Sequence, residues 1–92
     1  MKEECKFQIV VLDRGFVYVG HTTIDGDMIK IAGARCIRRW GTDPARPGLA
    51  YLAANGPTKN TKLDGAVFLS APMRAVILLI DVQEEEKWAS KN

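Results

Sequence analysis

The sequence predicts a mainly β domain of the α+β kind, a small antiparallel barrel or curled sheet of five to six strands with one short helix. Three observations lead there. From Lys6 to Ile31, β-branched and aromatic runs alternate with two tight-turn signals, Asp13-Arg14-Gly15 and Asp25-Gly26-Asp27. Only Gly48 to Ala54 carries helix punctuation on both sides. From Ala75 to Ile80 both faces of an extended chain would be apolar, the pattern of a buried strand.

Taken in order, Lys6–Leu12 makes the first strand. Asp13-Arg14-Gly15 turns the chain, because glycine adopts positive φ at little steric cost. Phe16–Ile24 reads as the second strand, and Asp25-Gly26 is the stronger hairpin signal of the two turns. Met28–Ile31 closes a three-stranded meander. The small residues Ala32-Gly33-Ala34 suit a bend or bulge. Arg35–Trp40 follows as a fourth strand, with Cys36, Arg38 and Trp40 on one face and Arg35, Ile37 and Arg39 on the other. Neither face is purely apolar, which fits a rim or edge, where charge discourages aggregation.

Thr42-Asp43-Pro44 carries the marks of a helix start, a capping side chain followed by proline, and Pro47 offers a later one. The helix body is Gly48–Ala54, with Leu49, Leu52 and Ala53 at core spacing and Asn55-Gly56-Pro57 ending it. It must be held by packing, since isolated helices below about 12 residues are marginal. Thr58–Gly65 is a polar loop with a short strand at Thr61–Leu63, and Ala66–Leu69 a brief strand ended near Pro72. Ala75–Ile80 is expected as a central strand, covered by the helix on one side and by a curled sheet or another subunit on the other. Gln83–Trp88 forms a terminal helical turn whose Trp88 folds back or packs on a neighbour, and the acidic run Glu84–Glu86 is solvated.

A chain of 92 residues forms one domain, residues 1–92, with a real but modest core. Its 47% hydrophobic and 26% charged content excludes disorder. The longest apolar run is far below the roughly 20 residues of a membrane span. The charged Met1–Cys5 lacks the apolar core of a secretion signal, so a cytoplasmic protein without membrane contact is expected. Cys5 and Cys36 lack CxxC spacing and have one histidine to join them, so neither a metal site nor another cofactor is expected. In a reducing compartment both are buried free thiols, with a mutual disulfide as the alternative.

Charge is segregated along the chain. Residues 1–29 and 63–92 each carry a net −2, whereas residues 30–62 hold seven basic groups against Asp43 alone, a net +6. Such asymmetry points to an anionic partner, the competing explanation being a solvated basic surface. Catalytic motifs of the GxSxG, HExxH and Walker kinds are absent from the sequence, and Gly20 and Gly26 do not form a phosphate loop. His21 reads as a hydrogen-bonded or exposed strand residue, and Asp13, Asp25 and Asp27 as turn residues. An enzyme would need these four to cluster in one pocket; the reading adopted is a non-enzyme with no catalytic residues.

The binding candidates lie in the basic third. Arg35, Arg38 and Arg39 can form bidentate bonds with phosphate, and Trp40 offers a stacking face for a base. Thr42 and the expected helix start add backbone donors and a favourable dipole. Lys59, Asn60, Thr61 and Lys62 are positioned in sequence to close such a pocket. Phe16 and Tyr18 share a strand face and could stack a base, core packing being the simpler use.

Four blocks carry a resemblance over nearly the whole chain: Ile9–Gly20, Ile31–Thr42 (IAGARCIRRWGT), Gly48–Thr58 and Ala71–Val76. They resemble a small family of uncharacterised proteins encoded by phages and prophages, with the RRWGT and GPT blocks as the more specific parts. The resemblance implies a small stand-alone accessory domain acting in a bacterial host, and it brings no catalytic residues. The expected function is therefore a non-enzymatic phage protein that binds a small anionic, nucleotide-like ligand or host factor to counter host defence, such as a sponge for a nucleotide immune signal. The alternatives are an oligomeric structural or assembly protein, in which Ala75–Ile80 and Trp88 make subunit contacts, and a small-barrel nucleic-acid-binding module. A homo-oligomer is expected in either case.

Overall fold

The two tight turns fold the first part of the chain into an antiparallel meander of β1 (Lys6–Leu12), β2 (Val17–Asp25) and β3 (Met28–Arg39). A computed structural model describes residues 5–91; Met1–Glu4, on which most of the reading of the N-terminus rests, and Asn92 lie outside the described residues. The first turn is a 3-10 turn over Asp13–Gly15 with Gly15 at φ +82° and Arg14 at φ +65°. The second places Gly26 at φ +62°. Helix α1 (Gly48–Asn55), β4 (Lys62–Leu63), β5 (Val67–Pro72), β6 (Val76–Asp81) and α2 (Glu85–Ala89) follow.

The predicted strands Met28–Ile31 and Arg35–Trp40 are one strand, not two. Between the pairs His21↔Ala32 and Val19↔Arg35, β3 uses Gly33 and Ala34 where β2 uses Gly20 alone. This is a β-bulge, with Gly33 at φ +61° supplying a left-handed conformation open to glycine. The small residues thus bend the strand without ending it. A second irregularity, at Arg38 opposite β4, breaks the alternation expected for residues 35–40. Within the stretch expected as a rim, Arg35 and Cys36 pair with β2, whereas Ile37 and Arg39 pair with the two-residue β4.

The sheet order is β4-β3-β2-β1-β6, and β5 pairs with Met28–Ala34 of β3. The six strands curl strongly and do not close into a barrel. The curl is visible in the connectivity. β5 and β6 lie at opposite ends of the sheet, yet only the 3-10 turn Met73–Ala75 joins them. The Met73 amide, at the start of that turn, donates to the Asp27 carbonyl at the β2–β3 turn.

Two apolar clusters sit on the two faces of this curl. Val10, Leu12, Ile29, Ile31, Ala34 and Ala71 pack inside it. On the outer face, Ile9, Val17, Val19 and Ile37 are covered by Leu52 and Ala53 of α1 and by Trp88 of α2. The strand buried on both faces is therefore β1, whose Ile9 and Val10 are both 0% exposed. β6, expected in that role, is an edge strand that leaves Ile77 65% and Leu78 49% exposed. An apolar strand is covered on both sides only where other elements reach it, and among the described residues β6 has β1 alone as a strand neighbour.

The helix begins after Pro47, the later of the two starts read from the sequence. Thr42-Asp43-Pro44 does not start it. The Asp43 carboxylate instead accepts from the Ala45 and Arg46 amides at 3.0 and 2.8 Å and closes a local turn. At the other end Gly56 takes φ +91° and donates its N–H to the Leu52 carbonyl at 2.8 Å. Trp88 folds back into the core, 2% exposed, as one of the two alternatives foresaw. Phe16 precedes β2 and is 53% exposed, so it is not a core residue. Both cysteines are free thiols; Cys5 is exposed and Cys36 only half-buried.

Candidate functional site

The site is built on a clip between two segments far apart in sequence. The buried Thr61 hydroxyl donates to the Trp40 carbonyl at 2.6 Å and accepts the Thr58 amide at 2.9 Å. The Thr58 hydroxyl donates to the Gly41 carbonyl at 2.8 Å and accepts the Asn60 amide at 3.1 Å. Gly41 adopts φ +72°, and a Cβ there would meet the Thr61 amide nitrogen and lie 2.5 Å from the Asn60 carbonyl carbon. No other residue type fits both the conformation and the space. Lys91 ties the same loop from the C-terminal side, donating to the Thr58 and Lys59 carbonyls at 2.9 and 3.2 Å. The Trp-Gly-Thr and Gly-Pro-Thr blocks, singled out in the sequence as separate motifs, are thus one structural unit.

Around this clip open two adjoining clefts that share Gly41 and Asn60. The larger, about 320 Å³, is lined by Arg46, Tyr51, Asn55, Lys59 and the Gly56–Thr58 turn in addition to the shared residues. The second, about 300 Å³, adds Arg39, Thr42 and Asp43. Arg39 and Lys59 form no ion pair among the described residues, whereas Arg46 is held by Asp43 at 2.8 Å. The site therefore offers two unpaired cations, a third that is oriented by a carboxylate, amide groups from Asn55 and Asn60, and a phenol ring.

Of the predicted residues, Arg39, Thr42, Lys59 and Asn60 come together here. Arg35 does not: its guanidinium donates to the Asp64 and Lys91 carbonyls at 2.8 and 2.7 Å and tacks down the C-terminal segment. Arg38 faces the Asp64 carboxylate at 3.4 Å. Trp40 is 41% exposed and lines neither cleft. Thr61 is the clip itself, fully buried, and the exposed Lys62 belongs to β4. The register shift at Arg38 interrupts the alternation between Arg38 and Arg39, while Arg35, which precedes it, is held by the Asp64 and Lys91 carbonyls.

Arg46, Tyr51 and Asn55 were not among the predicted residues. Tyr51 and Asn55 are four apart on α1, beside and not among the core positions Leu52 and Ala53, so helical spacing places both on one face. That spacing was the available signal. The helix dipole also acts opposite to expectation. Because α1 starts at Gly48, it is the C-terminal turn, Asn55 and Gly56, that lines the cleft, and its partial charge is negative. Attraction for an anion rests on Arg39, Arg46 and Lys59.

The acid–base candidates are dispersed. Asp13 lies in the turn after β1 and Asp25 and Asp27 beside the turn at the opposite end of β2. Asp25 pairs with Lys30 at 3.3 Å, and His21 Nε2 meets the Glu85 carboxylate of α2 at 2.9 Å with its ring against Phe7. Burial raises the Cys36 thiol above its ordinary range, the nearby Asp64 adds to the rise, and Arg38 opposes it. No helix among the described residues is long and apolar enough to cross a membrane. The chain matches no family model, no curated protein and no solved structure.

Proposed function

We propose that this protein binds a small anionic, nucleotide-like ligand in the paired cleft at Gly41 and Asn60, as a non-enzymatic phage accessory protein that sequesters a nucleotide immune signal and so counters host defence. The observation that carries the reading is the convergence of Arg39, Arg46 and Lys59 on clefts that also hold Tyr51. Arg39 and Arg46 supply forked donors for phosphate oxygens, and Lys59 a mobile point charge. Tyr51 takes over the stacking role first given to Trp40. Asn55 and Asn60 add hydrogen-bonding groups suited to base or ribose edges.

A thermal-shift screen against mono-, di- and cyclic nucleotides tests this. A ligand that binds only the folded chain stabilises it by roughly 2.7 kcal/mol at a hundred times its dissociation constant. One nucleotide class is expected to raise the melting temperature of the wild type and of Arg38→Ala, which lies outside the cleft. Arg39→Ala/Lys59→Ala is expected to abolish the shift. Flat curves for every nucleotide, or equal shifts in all three proteins, overturn the reading. The alternative of a nucleic-acid-binding module predicts instead an affinity for oligonucleotides that falls steeply with salt and responds to Arg38→Ala as well.

A further inference from the structure

The two strands at the ends of the sheet carry the most unusual surface of the molecule. β5 pairs only with β3 and β6 only with β1, so the outer edge of each has no strand partner among the described residues. On β5, Val67 and Phe68 are 54% and 69% exposed; on β6, Ile77 and Leu78 are 65% and 49% exposed. In each case the exposed pair occupies consecutive positions, so both faces of the edge are apolar. Solitary edges are ordinarily guarded by charge, proline or a cover. Here such guards stand only at the strand ends, Pro72 as the last residue of β5 and Asp81, which accepts from Gln8, as the last of β6, while Arg74 lies in the turn between them.

We propose that copies of this chain join head to tail, the β5 edge of one copy pairing with the β6 edge of the next, so that the sheet continues from subunit to subunit. The same chain supplies both halves of the joint. Each edge strand is six residues long, each offers unpaired backbone donors and acceptors, and each brings one pair of large apolar side chains to cover the other's. A two-fold pairing of β6 with β6 would leave every β5 edge open. Head-to-tail pairing covers both with a single kind of contact, and the curl of the sheet turns successive copies toward closure. The ligand cleft does not take part, so this inference is independent of the proposed ligand.

Sedimentation and light-scattering mass measurements on the full chain test it, using one variant per edge: Phe68→Lys on β5 and Leu78→Lys on β6. The wild type is expected to be larger than a dimer. Each variant alone is expected to be a folded monomer by circular dichroism and mass, and an equimolar mixture to form a 1:1 heterodimer, because each partner keeps one intact edge. Val67→Lys and Ile77→Lys repeat the experiment on the same edges should either first variant fail to fold. A wild type that is monomeric or dimeric overturns the proposal, the monomer leaving the edges to a strand from a different protein. A variant that keeps the wild-type mass, or a mixture that does not combine, overturns it as well.

Discussion

At Gly41, conformation and space coincide: the residue has φ +72°, and a Cβ would press into the Asn60–Thr61 backbone. Gly15 is also left-handed, at φ +82°, but has nothing within 4 Å of such a Cβ. Gly15→Ala is therefore expected to cost only the conformational strain, about 1–2 kcal/mol. Gly41→Ala should cost clearly more, because the clip must move; urea denaturation of the two variants separates strain from collision. Thr61→Val removes one hydroxyl that serves the Trp40 carbonyl and the Thr58 amide, and losing these two part-buried hydrogen bonds should cost about 1–2 kcal/mol. Equal midpoints for Thr61→Val and the wild type would show that the clip holds without its central hydroxyl. Cys36 gives a pH prediction. Its thiol is raised in the folded state, so the protonated form is favoured there. The corresponding stability is fully present below the unfolded thiol's pKa and is lost as pH rises through the folded value. Stability should thus decline in the alkaline range in the wild type and less so in Cys36→Ala. Cys36 should also react with a thiol alkylating agent more slowly than the exposed Cys5.

At the level of elements, the two helices are held by tertiary packing more than by their own propensity. α1 has eight residues and α2 five, below the length at which helices persist alone, about 12 residues. α2 is anchored by Trp88, which fills the outer cluster with Ile9, Val19 and Leu52. Its indole N–H is buried without a hydrogen-bond partner among the described residues. Trp88→Ala is expected to cost about 3–5 kcal/mol and to release α2. Trp88→Phe loses less, since the unpartnered donor goes with the larger ring. Hydrogen exchange of the Lys87 and Ser90 amides would report the release, because both are bonded within or just ahead of α2. The His21–Glu85 pair also bridges α2 to β2, but both side chains are about half exposed. Glu85→Gln should therefore change stability by no more than about 1 kcal/mol.

Across the whole molecule, charge and apolar surface are laid out separately. Of the seven basic groups of residues 30–62, Lys30, Arg46 and Arg38 are held by Asp25, Asp43 and Asp64. What remains around the clip is a compact cationic site instead of a broad basic face. The uncovered apolar surface lies on the β5 and β6 edges. Lysine at position 68 or 78 replaces an exposed side chain, so monomer stability should stay within about 0.5 kcal/mol of the wild type once association is accounted for. A much larger loss in dilute urea titrations would mean that these residues support the fold itself.

Much of this architecture was legible from neighbouring residues. Asp-Gly and Asp-Arg-Gly specify turns through their own backbone preferences, and Asn-Gly-Pro stops α1 by the same local chemistry, so the meander and the helix end follow from the sequence alone. Small residues at Ala32–Ala34 announced an irregularity, but whether it ends a strand or bends one depends on Gly20 across the sheet. Likewise the basic character of the middle third is a property of composition, while the choice of Arg39 over Arg35 and Arg38 for the cleft is not. It depends on the groups distant in sequence that hold Arg35 and Arg38 and on Gly41 meeting Asn60 and Thr61 across the fold. The identity of the edge strands was decided in the same way: Ala75–Ile80 is apolar enough for an interior strand, but strand order is set by distant pairing, which gave β1 a neighbour on each side and left β6 outside. Local preferences act over a few bonds and are written in adjacent residues; pairing and burial are settled only when the whole chain competes for the same surfaces.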